Sequence, residues 1–198
     1  MLYRVCRFLL NVIYTLLFRL KAEGLDNIPV SGPVLLCSNH ISLLDPPTVG
    51  IRVGRKVHYM AKAELFAFKP FGAFLRELGA FPVKRGGVSK ESIKLSLHLL
   101  KDGHVMGIFP EGTRSASSEG GMGKKGAAML ALRSGAVVIP VAIVGRYRLF
   151  RRTVIRYGKP VDLSAFRDGD GTDPVGRATD LIMKRIYELA AGKPRLPV

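Results

Sequence analysis

The chain has 198 residues, enough for one well-formed core and close to the usual size of a single domain. Lys and Arg number 31 against 15 Asp and Glu, a formal charge of +16, yet 47% of the residues are hydrophobic and the mean hydropathy is +0.19. A basic nucleic-acid binder usually gains its charge at the expense of apolar content, so this balance argues against nucleic acid and for an anionic lipid surface as partner.

The first twenty residues read as a helix whose charge-free stretch runs only from Phe8 to Phe18. That is short of the roughly 20 apolar residues that span a bilayer. Arg4, Arg7, Asn11, Thr15 and Arg19 follow at steps of three or four, which makes one narrow polar stripe on an apolar cylinder. Such a helix suits a membrane interface, with Arg4, Arg7 and Arg19 at lipid phosphates and Phe8 and Phe18 in the acyl region. Two other readings compete. A signal peptide lacks a small-residue cleavage site, and a helix docked on its own protein would show the same pattern. The expected organisation is residues 1–22 as an amphipathic interface helix and 23–198 as one further domain.

Cys6 and Cys37 lie far apart, one in the first helix and one in an apparent buried strand, so neither a disulfide framework nor a metal site is expected. A reducing, cytoplasmic setting fits. Pro33–Ser38 reads as a buried strand ending in a polar turn at Asn39 and His40. Asp45, before Pro46 and Pro47, reads as the N-cap of a helix continuing toward Val53. Further elements are a strand at His58–Ala61, a helix at Phe71–Leu78 and a strand at Ala80–Val83. Phe66, Phe68, Phe71, Phe74 and Phe81, interleaved with Lys62, Lys69 and Arg76, supply half of the ten phenylalanines and suit either core packing or a lipid-facing patch.

Ser89 can cap a helix through Leu100. A strand at His104–Phe109 then runs into Pro110-Glu111-Gly112-Thr113-Arg114-Ser115, and a helix follows at Lys124–Arg133. Ala136–Val144 reads as a strand in which Pro140 removes one ladder donor and suggests an edge or a bulge. A strand at Thr153–Tyr157 and a final helix started by Asp173-Pro174 complete the chain, the helix showing an apolar stripe at Val175, Ala178, Ile182, Ile186 and Leu189. Strands alternating with helices, several of them continuous apolar runs, predict an α/β fold with a mixed, largely parallel sheet covered by helices on both faces. In such sheets reactive loops gather beyond the carboxyl ends of the strands, which is where His40–Asp45 and Glu111–Ser115 fall.

The imidazole of a histidine titrates near pH 6.5, so His40 offers a neutral nitrogen that can take a proton from an alcohol near pH 7. A carboxylate on the other ring nitrogen would fix the tautomer and stabilise the imidazolium. On a straight helix a spacing of five would hold His40 and Asp45 apart, so the pair requires the strand-to-helix turn. The loop from Glu111 to Ser115 combines a cation, two hydroxyls and a glycine-loosened backbone, a plausible phosphate cradle with Arg114 as its bidentate ligand. Lys84-Arg85-Gly86-Gly87 is a second cationic loop. His58, His98 and His104 lack comparable partners in the sequence.

These residues resemble those of the glycerolipid acyltransferases, the family that includes 1-acyl-sn-glycerol-3-phosphate acyltransferase. Asn39-His40 with Asp45 is similar to its N-H-x4-D motif, and Phe109 to Ser115 to its F-P-E-G-T-R-S motif. Gly79 to Arg85 resembles a further block whose basic residue falls on Arg85, and Val138 to Val141 another whose proline is Pro140. Gly123 to Gly126 is similar to F-K-x-G, with Gly123 replacing the aromatic and Lys124 in the lysine position. The likeness covers roughly Leu25 to Gly158.

The resemblance implies direct acyl transfer from acyl-CoA or acyl-carrier protein to the sn-2 hydroxyl of a lysophosphatidate, with neither an acyl-enzyme nor a metal or other cofactor. His40 and Asp45 would be catalytic, Asn39 and Pro140 supporting. Arg85, Glu111, Gly112, Thr113, Arg114, Ser115 and Lys124 would bind phosphate and glycerol. Backbone N–H groups near the His40 loop would hold the oxyanion. No serine occupies a G-x-S-x-G elbow, and Ser42 is expected to be structural. The implied setting is the cytoplasmic face of the cell membrane. Rival readings are another lysolipid acceptor such as a lyso-ornithine lipid, a non-catalytic module binding anionic lipid, and a nucleic-acid binder prompted by the acid-free run from Arg146 to Lys159.

Overall fold

A computed structural model describes residues 1–83, 90–111, 121–167 and 172–192, and of 121–124 the backbone alone. The strands are β1 (Lys21–Glu23), β2 (Val34–Ser38), β3 (Val57–Lys62), β4 (Ala80–Val83), β5 (Val105–Ile108), β6 (Val137–Val144) and β7 (Val154–Tyr157). The helices are α1 (Leu2–Phe18), α2 (Asp45–Gly50), α3 (Lys69–Glu77), α4 (Lys90–Lys101), α5 (Gly121–Ser134) and α6 (Pro174–Ala190). One sheet takes the order β1-β7-β6-β2-β5-β3-β4, parallel throughout except between β6 and β7.

β2 is buried along its whole length because both of its faces are covered. Leu35 and Cys37 point into one core with Ala127, Leu130 and Ala131 of α5 and with Ala178, Ile182 and Ile186 of α6. Val34 and Leu36 point into the other, with Tyr14 of α1 and Val49 of α2. This two-sided burial is why the central strands read as unbroken apolar runs. Ile182 and Ile186 are fully buried, each contributing about 1.5–3 kcal/mol of transfer free energy. Asp173 caps α6 by accepting the Gly176 N–H at 2.9 Å.

Several expectations change. Asp45 is not an N-cap but the first residue of α2, which stops at Gly50 and does not reach Val53. Its side chain turns back onto the preceding loop, where one oxygen meets His40 Nδ1 and the N–H groups of Ile41 and Ser42. Pro140 is not at an edge, since β6 pairs with both β2 and β7. The Val141–Tyr157 register would bring Val138 opposite Pro160, yet Val138 bridges to Val161, so one extra residue bulges from the partner segment. The Pro140 carbonyl accepts from Gly158 on that side, which puts its missing N–H at the bulge, where the ladder asks for none. β1 spans three residues, too few to show a pattern in the sequence.

The polar stripe of α1 also divides. Arg7 turns inward and donates to the Val53 carbonyl at 2.9 Å, while Thr15 accepts from Arg52 at 2.7 Å. Phe18, expected in lipid, packs edge-on against Tyr14 and Tyr147. Arg4 and Phe8 remain exposed, as does Arg19, which ends the helix in a left-handed conformation. The outward face of α1 is apolar: Leu2, Val5, Leu9, Val12, Ile13 and Leu16 line it beside Phe8. Of the phenylalanine cluster, Phe66 and Phe81 are core, whereas Phe68, Phe71 and Phe74 are exposed. Among the described residues no helix is long and apolar enough to cross a membrane.

Candidate active site

β5, β2 and β6 are neighbours and run parallel, so the segments leaving their carboxyl ends share one rim. After β2, Asn39 replaces backbone pairing with its side chain. Its Oδ1 accepts from the Ile143 N–H at 2.8 Å and its Nδ2 donates to the Ile143 carbonyl at 3.1 Å. Only an amide side chain offers both groups in that geometry, and it locks the start of the loop to β6.

The next residue is His40, whose ring stacks on Phe109 with centroids 4.3 Å apart. Its Nδ1 lies 2.6 Å from Asp45 Oδ2, an oxygen that also accepts the N–H groups of Ile41 at 2.6 Å and Ser42 at 2.7 Å. An ionised carboxylate can only accept, so Nδ1 carries the proton of the neutral ring and Nε2 keeps a lone pair for a substrate. The His40 side chain is 16% exposed and that of Asp45 0%. The remaining Asp45 oxygen faces the hydroxyl of Tyr147 at 2.8 Å, and Thr48 Oγ1 lies 2.8 Å from the same hydroxyl. Burial pushes the Tyr147 phenol far above its ordinary value, with the Asp45 charge adding to the rise and the Thr48 hydrogen bond opposing it. The phenol therefore stays a neutral donor. Tyr14, pushed up to about 12 by burial and then by the Asp45 charge, reaches the Leu44 carbonyl with its hydroxyl at 3.4 Å.

From the end of β5, Glu111 comes back over the loop. Its Oε2 accepts the His40 N–H at 3.2 Å and its Oε1 accepts the Tyr187 hydroxyl of α6, also at 3.2 Å. The expectation of an oxyanion site built from loop N–H groups narrows accordingly. Those of His40, Ile41 and Ser42 are committed to carboxylates and that of Leu44 to Ser42 Oγ. Ser42 is thus a strut of the loop.

The structure brings Asn39, His40, Asp45 and Glu111 together. Arg85, Gly112, Thr113, Arg114 and Ser115 lie outside the described residues, as does the Lys124 side chain on α5. Pro140 is in β6, opposite Cys37 in the register with β2. Sequence reasoning missed Tyr147, Thr48 and Tyr14. One signal was available for Tyr147, which follows the carboxyl end of a strand by three residues, as the reactive loops do.

An imidazole oriented by a buried carboxylate has the geometry to take a proton from an alcohol. The chain belongs to the acyltransferase family, whose model, described as Acyltransferase, matches residues 19–144.

Among its relatives is a protein of Bacillus subtilis named 1-acyl-sn-glycerol-3-phosphate acyltransferase, 33% identical over 194 residues, which cover 95% of this chain and 96% of the relative. A chloroplastic 1-acyl-sn-glycerol-3-phosphate acyltransferase of Arabidopsis thaliana is 34% identical over 131 residues, 65% of this chain and 36% of the relative. The crystal structure of PlsC, the 1-acyl-sn-glycerophosphate acyltransferase of Thermotoga maritima, is similar with a TM-score of 0.62 and 25% identity, covering 90% of this chain and 74% of that one.

Proposed function

We propose that this chain moves a fatty acyl group from an acyl thioester to the sn-2 hydroxyl of 1-acyl-sn-glycerol-3-phosphate, making phosphatidate for phospholipid synthesis. The names of the relatives support the acceptor. The observation that carries the chemistry is the 2.6 Å contact between His40 Nδ1 and Asp45 Oδ2, which leaves Nε2 as the base.

In this reading the acceptor hydroxyl gives its proton to His40 Nε2 as its oxygen attacks the thioester carbonyl. Asp45 stabilises the imidazolium that forms. The tetrahedral intermediate collapses with loss of thiolate, and the imidazolium returns the proton to that sulfur, so no acyl-enzyme and no metal or cofactor is needed. Arg85, Gly112, Thr113, Arg114, Ser115 and Lys124 hold the glycerophosphate. Glu111, anionic and already bonded to the His40 backbone, acts by fixing the loop and not by touching a phosphate. The donor is acyl-CoA or acyl-carrier protein.

The enzyme works at the cytoplasmic face of the cell membrane, with the apolar outer face of α1 in the acyl layer of an anionic bilayer and Arg4 and Arg19 at its phosphates. Tyr14 of α1 is buried in the sheet's own core, with Leu10 and Phe18 packed against it, so in this reading the helix is held on the catalytic unit as well as being its membrane contact.

Purified protein supplied with lysophosphatidate and a set of acyl-CoA and acyl-carrier-protein donors is expected to yield phosphatidate. His40→Ala is expected to lower the rate by at least about 10²-fold, the scale of general base catalysis. Near-normal turnover in that variant rejects the assignment. A preference for another lysolipid, such as a lyso-ornithine lipid, corrects the acceptor.

A further inference from the structure

The loop after β6 carries a feature that the transfer reaction does not use. From Gly145 to Thr153 it reads G-R-Y-R-L-F-R-R-T. Tyr147 turns inward to Asp45, whereas Leu149 and Phe150 at the tip are 62% and 67% exposed. Phe150 adopts a left-handed backbone with φ 59°, a conformation that a bulky side chain rarely takes.

Two hydrogen bonds hold the tip there. The Phe150 N–H donates to the Leu17 carbonyl at 2.6 Å and the Thr153 N–H to the Phe18 carbonyl at 3.0 Å, both in the last turn of α1. Two neighbouring large apolar side chains are therefore displayed in water on a support pinned to the last turn of α1. Through Tyr14 and Leu44 the same corner of the molecule borders the His40 loop, where Leu43 is also exposed. Arg146, Arg148, Arg151 and Arg152 flank the tip, all exposed, and no acid occurs from Arg146 to Lys159.

We propose that this loop is a membrane wedge. Leu149 and Phe150 enter the acyl layer of an anionic phospholipid bilayer while the four arginines take lipid phosphates, which seats the His40 rim at the interface where its lipid substrates reside. The inference rests on the reading of α1 as a surface helix and adds a second contact, 130 or so residues further along the chain, that fixes how the enzyme is oriented on the surface. Charge selects the bilayer over a second copy of this chain, because a symmetric pair would bring two sets of arginines together.

The chain contains no tryptophan, so Leu149→Trp supplies a single reporter. With vesicles containing phosphatidylglycerol its emission is expected to shift to shorter wavelength and to be quenched by bromine on the acyl chains. Pure phosphatidylcholine vesicles are expected to give a much smaller response. In co-sedimentation, Leu149→Gln combined with Phe150→Asn is expected to weaken partitioning by about tenfold or more; Asn tolerates the left-handed backbone, and the thermal midpoint checks the fold.

A parallel variant, Phe8→Gln with Leu16→Gln, tests α1 by itself. If that variant loses binding while the loop variant does not, and the reporter stays in water, the wedge is refuted and the reading of α1 stands. If neither variant loses binding, both fall. A spectral shift that follows protein concentration without lipid, or one produced by single-stranded DNA but not by vesicles, also overturns the wedge.

Discussion

Tyr147 sets its hydroxyl 2.8 Å from Asp45 Oδ1, across 102 residues of chain, on the oxygen that His40 leaves free. Removing that donor strips a buried carboxylate of a hydrogen bond without touching the imidazole. Tyr147→Phe is expected to cost about 1–3 kcal/mol in chemical denaturation. Turnover is expected to fall as well, because the carboxylate that orients the imidazole is less firmly held, and a kcat equal to that of the parent would show that Tyr147 only packs.

Asp45 and His40 should separate when each is replaced conservatively. Asp45→Asn sets an amide against the ring N–H and the N–H groups of Ile41 and Ser42, and cannot accept all of them well. It is expected to lose both activity and stability, the latter by about 3 kcal/mol as a buried network is broken. His40→Gln should lose activity with little change in the denaturation midpoint. Equal midpoints for the two variants would contradict the geometry.

Gly107 lies beneath the ring of Tyr59, and a Cβ added there would meet the ring at 2.2 Å. That ring stacks toward Phe109, which in turn stacks on His40. Gly107→Ala is expected to destabilise the fold by about 1–3 kcal/mol through overpacking and to lower turnover by displacing Phe109. Thermal melts and initial rates measure the two effects separately.

His58 is pushed down to about 4, first by burial and then by the neighbouring His104 and Lys56, with a backbone hydrogen bond at Gly79 opposing. Between pH 6.5 and about 4 the unfolded chain therefore binds more protons at this residue than the folded one, so its contribution to stability falls as pH falls through that window. Urea midpoints are expected to drop from pH 7 to pH 4.5, and His58→Gln should flatten the drop. A variant that retains the full pH dependence would assign it to other groups.

The α/β class and most of its strands and helices were legible along the chain because each is a local pattern. Unbroken apolar runs mark strands covered on both faces, and Asp173-Pro174 marks a helix start. Asn39, His40, Asp45 and Glu111 could be picked out since residues of their kinds gather beside strand ends, and the family's motifs place them. The three-residue β1 carried no pattern, and the Pro140 bulge depends on the register of a partner strand that local sequence does not specify.

What this sequence determined by itself is the set of short-range choices: which segments extend, which coil, and that an imidazole and a carboxylate stand five residues apart. Tertiary structure decided which side of each element meets the protein. It turned Arg7 and Phe18 of α1 inward and Leu2, Leu9 and Leu16 outward, and it brought Tyr147 to the Asp45 carboxylate and Glu111 to the His40 backbone. The physical reason is that a helical pattern fixes the angle between two faces but not which of them will find a partner. That is settled only when distant segments, here Val53, Arg52 and the loop after β6, arrive with the complementary donors and acceptors.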